Sequence, residues 1–372
     1  MPMLDVVKGI ACAVIVGHHL SLYGPMQLGA QALVPGWMAW LSSEGRLAVQ
    51  IFLVVAGFLA AASLAPEGVL RVDRPFARIG QRYGRLAMPY LAALTVCVLV
   101  AALVRPWWPD EAVPAVPTVM QLLAHAMLLQ DLLDYEALST GVWYVAIDLQ
   151  LFTLATLLIG LPHWLRERGM AAKPWWRWVG VALVFLLAAA SLAVFNRDAE
   201  FDETALYFFG AYGLGMLAFW IGRATRRSTW QAAMLLLVLV GAGALLIDWR
   251  SRIATALLTA LLIALAQRRD WLEVPMRWPA TVRRPLLRLG SISYSLFLIH
   301  FPVLLLTSAV VAQWPARSAW VDVLGLLLTF WLSVAAAGWL HRWSEVPRAS
   351  WRAWLAAVGA LVASGALAIF AT

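Results

Sequence analysis

The sequence predicts an all-α protein, a polytopic transmembrane helix bundle with ten core helices and one extra C-terminal helix. Three observations carry that expectation. The 372 residues are 63% hydrophobic and only 13% charged, with a mean hydropathy of +0.79, whereas soluble domains carry about 25% charged residues. The apolar residues come in long runs, such as 178–194 and 234–247. Basic residues fall mainly in every second loop, as orientation in a bilayer requires. The net charge of +8 therefore belongs to a protein embedded in a lipid bilayer, and since no basic stretch forms a module of its own, no nucleic-acid partner is expected.

The ten core spans are read at about 5–24, 46–65, 86–104, 141–162, 177–195, 203–222, 230–248, 252–268, 287–312 and 320–342, and the eleventh at about 351–371. Each is near the length of about 20 residues that crosses the hydrocarbon core. The first lacks a basic leader and a prompt small-residue cleavage site, so it is expected to stay as a helix. Segment 118–134 carries His125, Gln130, Asp131 and Asp134 and is read as an interfacial or re-entrant element. Residues 1–350 are expected to form one integral-membrane domain, with 351–372 as the additional helix.

Loop charge orients the chain. Arg71, Arg74, Arg78, Arg82 and Arg85 follow the second span, and Arg166, Arg168, Lys173 and Arg177 the fourth. Arg223, Arg226 and Arg227 follow the sixth. Six arginines from Arg268 to Arg288 follow the eighth, and Arg342, Arg348 and Arg352 the tenth. The opposite loops hold fewer arginines and acids such as Asp110, Asp134, Glu136 and Glu200. The positive-inside rule then sets the N-terminus in the cytoplasm and the C-terminus outside. Cys12 and Cys97 lie in apolar spans and are expected as buried thiols without a disulfide. "GAYGLG", 210–215, lies inside a span and is read as close helix packing, not a dinucleotide loop.

Ionisable groups inside spans are costly and mark function by default. Lys8 and His19 are eleven positions apart. At 100° per residue that separation is about 20° from three full turns, so both share a face, roughly 16 Å apart along the axis. Imidazole can accept a proton from a hydroxyl, which suits His19 to general base catalysis; the alternative is a histidine bonded to a neighbouring helix. His18 points elsewhere and is read as structural. Adjacent histidines on a helix cannot face one metal ion, so no metal site is expected.

Four further clusters stand out. Arg82 and Arg85 share a helix face and suit phosphate groups, or else are plain inside charge. Asp148 and Gln150 in "WYVAIDLQLF" sit deep enough to need partners; Asp148 could orient an imidazole, contact a substrate hydroxyl or neutralise a buried arginine. His300 in "ISYSLFLIHFPV" suits packing or ligand binding equally, and Glu345 in "SEVP" is read as a helix-end counter-ion.

These stretches, in this order, resemble acyltransferase family 3, the integral-membrane O-acyltransferases acting on cell-surface carbohydrates. "LDVVKGIACAVIVGHH" resembles the family's opening, with Lys8 for the commoner arginine and His19 at the end. "IFLVVAGFL" resembles its second-helix segment, with Ala56 where serine is frequent. "RYGRLAMPY" carries the Arg-x-x-Arg and proline of the third. "WYVAIDLQLF" has Asp148 in place of glutamate, and "ISYSLFLIHFPV" and "SEVP" complete a likeness that covers about residues 4–350.

The resemblance implies transfer of an acyl group, usually acetyl from acetyl-CoA, to a hydroxyl of an envelope or exported carbohydrate or glycolipid. It implies a multi-pass protein of the bacterial inner membrane, with acyl-CoA as a donor substrate and no permanently bound cofactor. His19 and Asp148 are the catalytic residues it implies, with Lys8, Arg82 and Arg85 on the CoA phosphates. Trp143, Tyr144, Gln150 and His300 are assigned to substrate binding. Some members carry a periplasmic hydrolase-like domain; none is expected here, so envelope-glycan synthesis proteins are the partners that would supply one. The rival reading is an exporter of a lipid-linked sugar or polysaccharide, with the buried polar groups as its path.

Overall fold

A computed structural model describes residues 1–71, 74–168, 174–314, 316–346 and 350–370. Lys173, Pro347 and Arg348 lie outside the described residues, as do the side chains of Arg166 and Arg177. Fifteen α-helices and no strands form among the described residues. In chain order they are α1 (Pro2–Leu20), α2 (Met26–Leu33), α3 (Pro35–Glu44), α4 (Ala48–Leu64), α5 (Pro75–Val104), α6 (Val119–Ala126), α7 (Trp143–Glu167) and α8 (Val179–Ala193). There follow α9 (Ala205–Gly222), α10 (Arg227–Ile247), α11 (Ser251–Arg268), α12 (Ala280–Ser291), α13 (Ser293–Ala312), α14 (Ala319–Leu340) and α15 (Trp351–Phe370). Eleven helical segments are long and apolar enough to cross a bilayer, one for each span read from the sequence, and the chain is a multi-pass membrane protein.

The differences lie at the helix ends. Loop 25–45 contains two helices, because Pro35 pushes Val34 out of the helical region (φ −131°), ending α2, and then starts α3 as its first residue. α5 starts at Pro75, so Arg78, Arg82 and Arg85 are helical and not in a loop. The ninth span is α13 alone, since Ile292 (φ −99°, ψ 6°) breaks it from α12. Segment 118–134 holds α6, whose eight residues are too short to span; Thr118 and Gln121 close its start as a capping box.

The chain divides into two compact units. The first comprises Met1–Lys8, Val49–Arg82 and Ile147–Arg284. α9 is its centre, with 89% of its span buried against 17% for α10. Gly215 in α9 faces the Val54 carbonyl of α4, and Gly57 in α4 faces the Tyr212 carbonyl of α9, so a Cβ at either position would collide with backbone. That contact is the close packing expected of "GAYGLG". Ser191 of α8 donates to the Leu206 carbonyl (2.6 Å) and accepts from Gly210 N–H (2.8 Å), clipping α8 to α9.

The second unit comprises Gly9–Ala48, Tyr83–Ala146 and Pro285–Thr372. Its buried centre is α13, with 72% of the span inside protein against 22% for α15. Polar bonds hold it there. The Tyr294 hydroxyl donates to the Leu86 carbonyl of α5 (2.8 Å), and Cys12 Sγ of α1 donates to the Ser293 carbonyl (3.1 Å). Cys12 and Cys97 are both free, buried thiols.

Candidate active site

The second unit joins two spans through histidines that are 281 residues apart. His19 sits in the last turn of α1, half-buried, and His300 is wholly buried in α13. His19 Nδ1 lies 2.7 Å from His300 Nε2. The ring planes are 9° apart and the ring centres 4.9 Å apart. A ring nitrogen is about 1.2 Å from the ring centre, so a bond along the line of centres would separate them by about 5 Å. The rings therefore lie end to end, nearly coplanar, in a hydrogen bond and not a face-to-face stack.

The proton positions follow from what each nitrogen touches. His300 Nδ1 is 2.7 Å from the Phe297 carbonyl, which can only accept, so Nδ1 carries the hydrogen. Neutral His300 then offers a lone pair at Nε2, and His19 Nδ1 must donate to it. The lone pair of His19 is left on Nε2, which has no hydrogen-bond partner among the described residues. A half-buried imidazole with an open basic nitrogen, held by its other nitrogen, is the arrangement of a general base.

The neighbours of His19 come from a loop and two helices. Tyr23, one turn on, has its ring centre 6.2 Å away and accepts a hydrogen bond from Thr140 Oγ1 (3.2 Å). Gly141 adopts φ +77°, and a Cβ there would come within 2.8 Å of Phe297 and 3.6 Å of His19 Cε1. A left-handed glycine thus lets backbone approach the imidazole. Phe297 also packs edge-on against Tyr144 (5.6 Å between centres), and Tyr144 against Trp143 (6.2 Å). His18 is tied instead to the Leu41 carbonyl (2.8 Å), which is a structural use.

In the first unit, Arg82 Nε (3.0 Å) and Nη2 (2.6 Å) both donate to Oδ2 of Asp148, which is 2% exposed. Of the readings open for Asp148, pairing with an arginine is the contact made, and that arginine is half-buried. Gln150 accepts from Ala205 N–H (2.9 Å) and donates to the Glu203 carbonyl (3.3 Å), fixing the start of α9. Lys8 pairs with Asp5 at 2.8 Å. Arg85 is exposed and makes no ion pair among the described residues: three positions along a helix turn it about 60° from Arg82. Glu345, in a π-helical turn after α14, accepts from Ser295 Oγ (2.7 Å) and lies 2.9 Å from His341 Nδ1. Among the described residues no three His, Cys, Asp or Glu side chains converge as a metal site.

Comparison with known families decides the class. The family model described as an acyltransferase domain, that of acyltransferase family 3, matches residues 2–338. The chain belongs to acyltransferase family 3. No curated protein and no solved structure matches it. The acyltransferase carries its histidine pair on the first and ninth spans, the two segments whose sequences resemble the family's opening and ninth-helix motifs.

Sequence reasoning missed Tyr23, Thr140, Gly141 and Phe297 of this acyltransferase. Tyr23 stands four residues after His19, a spacing that places it on the same helix face if the helix continues. The "STG" before Trp143 is a turn signal, with glycine where a left-handed residue is needed. Phe297 carries no signal, because an apolar residue in an apolar span is indistinguishable from packing.

Proposed function

We propose that this membrane acyltransferase moves an acyl group, acetyl in the first instance, from cytoplasmic acyl-CoA to a hydroxyl of an envelope or exported carbohydrate. The observation that carries the reading is the 2.7 Å bond from His19 Nδ1 to His300 Nε2, which leaves His19 Nε2 open and basic. The acceptor hydroxyl gives its proton to that nitrogen while its oxygen attacks the thioester carbonyl. Collapse of the tetrahedral intermediate breaks the C–S bond, and the CoA thiolate takes the proton back from the imidazolium. His300 holds the ring in one tautomer and shares the transient charge through the Nδ1–H bond. An acyl-imidazole relay would use the same nitrogen.

Lys8, Arg82 and Arg85 are assigned to the CoA phosphates; Asp148 then acts by holding the Arg82 guanidinium. Tyr144 and Trp143 are assigned to the acceptor, since aromatic faces stack against sugar rings. The basic loops after even-numbered spans support a cytoplasmic N-terminus, a periplasmic C-terminus and residence in a bacterial inner membrane.

The test is mass spectrometry of envelope glycans and glycolipids from a strain lacking this gene, complemented with wild type or His19→Ala. A base-labile ester restored by wild type and not by His19→Ala is expected, and it names the acceptor. A change in glycan surface abundance with no ester change would replace this reading with an exporter.

A further inference from the structure

The first unit contains a cavity of about 680 Å³ that the transfer reaction does not use. It lies between α8, α9 and α10, beside the basic loop 223–226. Its walls are apolar, with Leu217, Ile221 and Leu237 buried, Phe185 half-buried, and Leu236 and Trp178 exposed at the edge. Its rim is polar: two cations, Arg223 and Arg226, two hydroxyls, Thr225 and Thr229, and Glu67 as the single acid. Neither arginine makes an ion pair among the described residues.

Three features point to one ligand chemistry. The α10 span is only 17% buried, so the cavity wall it supplies belongs to a lipid-exposed helix. Its volume falls in the range of about 300–1,000 Å³ usual for small-ligand sites. Arg226 is also the N-cap of the 21-residue α10, with no side-chain cap, so the N–H groups of that first turn add to the positive rim. Two arginines and one glutamate leave the rim at a net charge of +2 − 1 = +1. One phosphodiester balances that, while a headgroup hydroxyl satisfies Glu67. A choline headgroup cancels the phosphate charge and leaves the net +1 of the rim unbalanced.

We infer that this cavity binds an anionic glycerophospholipid of the phosphatidylglycerol type, its phosphate between Arg223 and Arg226 and an acyl chain along Phe185 and Leu237. The site lies within one unit and does not depend on the acceptor or donor assigned above.

The experiment is native mass spectrometry of the full-length protein in mild detergent, with thermal unfolding measured against added phosphatidylglycerol, phosphatidylcholine or glycerol phosphate. One phosphatidylglycerol is expected to be retained and to raise the unfolding temperature. Arg223→Gln with Arg226→Gln should weaken that binding on the order of thirtyfold, the effect of two basic groups at a membrane surface. Ala182→Trp, an exposed lining residue on α8, should abolish it by filling the cavity. Equal binding of phosphatidylcholine, an equal shift with glycerol phosphate, or unchanged retention in both variants would overturn the proposal. Displacement of the lipid by acyl-CoA would also overturn it and assign the cavity to the donor.

Discussion

α9 and α13 are the most buried spans of their respective units, and they are built on opposite principles. α9 has no charged residue and no histidine; it packs by backbone approach at Gly215, and apart from the Tyr207 hydroxyl, which accepts from Arg252 of α11, its hydrogen bonds to other elements involve main-chain groups. α13 carries Tyr294, Ser295 and His300, and each is bonded to another element of its unit: α5, the turn after α14, and α1. In a bilayer every buried polar group must be satisfied inside the protein, so a span rich in such groups costs more to bury than an apolar one. The contrast teaches that a buried span can be held mainly by close backbone packing, as α9 is, or by long-range side-chain bonds, as α13 is, and the pair proposed for the chemistry belongs to the second kind.

The largest test of that contrast removes the proposed base. His19→Ala should lower acyl transfer by about 10²–10⁴-fold, the usual worth of a general base, with the protein still inserted in the membrane. A purified-enzyme assay of CoA release in the presence of acceptor reads it. Transfer at the wild-type rate would place the chemistry elsewhere.

The first unit offers the opposite experiment, in which stability suffers first. Arg82→Ala leaves Asp148 buried without its partner and should cost about 3 kcal/mol, read as a fall in unfolding temperature. Adding Asp148→Leu should restore most of that loss, because the cost lies in the orphaned carboxylate. A double variant as unstable as the single would show that Arg82 stabilises through packing on Phe152 instead (5.5 Å).

A smaller effect is expected at His300. Replacing it by alanine removes one hydrogen bond to the histidine proposed to become charged, about 1.5–3 kcal/mol, so kcat should fall between about tenfold and a hundredfold. KM for acyl-CoA should stay unchanged, and Gln, which can still accept a hydrogen bond, should recover part of the rate. Loss confined to KM would make His300 a binding residue and not a positioning one.

The smallest effect sharpens the comparison with a histidine that has no open nitrogen. His125 of α6, outside the spans, donates from Nδ1 to the Gln121 carbonyl (2.8 Å) and accepts at Nε2 from Leu138 N–H (3.2 Å). Burial pushes its pKa down to about 4. The unfolded chain therefore binds more protons between pH 6.5 and about 4, so this contribution is whole above pH 6.5 and is lost as pH falls through that window. Hydrogen exchange of residues 119–138 should show the corner loosening by on the order of 1–2 kcal/mol at pH 5. His125→Gln should remove the pH dependence, and its persistence would assign the loosening to another group.

Much of the fold was legible in the residues themselves. The number and order of the spans follow from apolar length, a local property that the bilayer thickness measures directly. The break at Ile292 and the helices in 25–45 were less so, because proline and turn preferences move helix ends without changing the apolar pattern. In the site, the polar stripe of α1 was readable from a period of 3.6 residues, since α1 is unbroken from Pro2 to Leu20.

What tertiary structure alone decided is the pairing. A sequence shows that His19, Asp148 and His300 each need a partner, yet not that His19 takes His300 or that Asp148 takes Arg82. Those choices depend on which helices neighbour one another and how each is rotated, and helix rotation in a membrane is set by side-chain packing along the whole length of the span. The tautomer of His19, and with it the nitrogen free to act as base, is the last consequence of that packing: the Phe297 carbonyl fixes the proton on His300, and His300 fixes the one on His19.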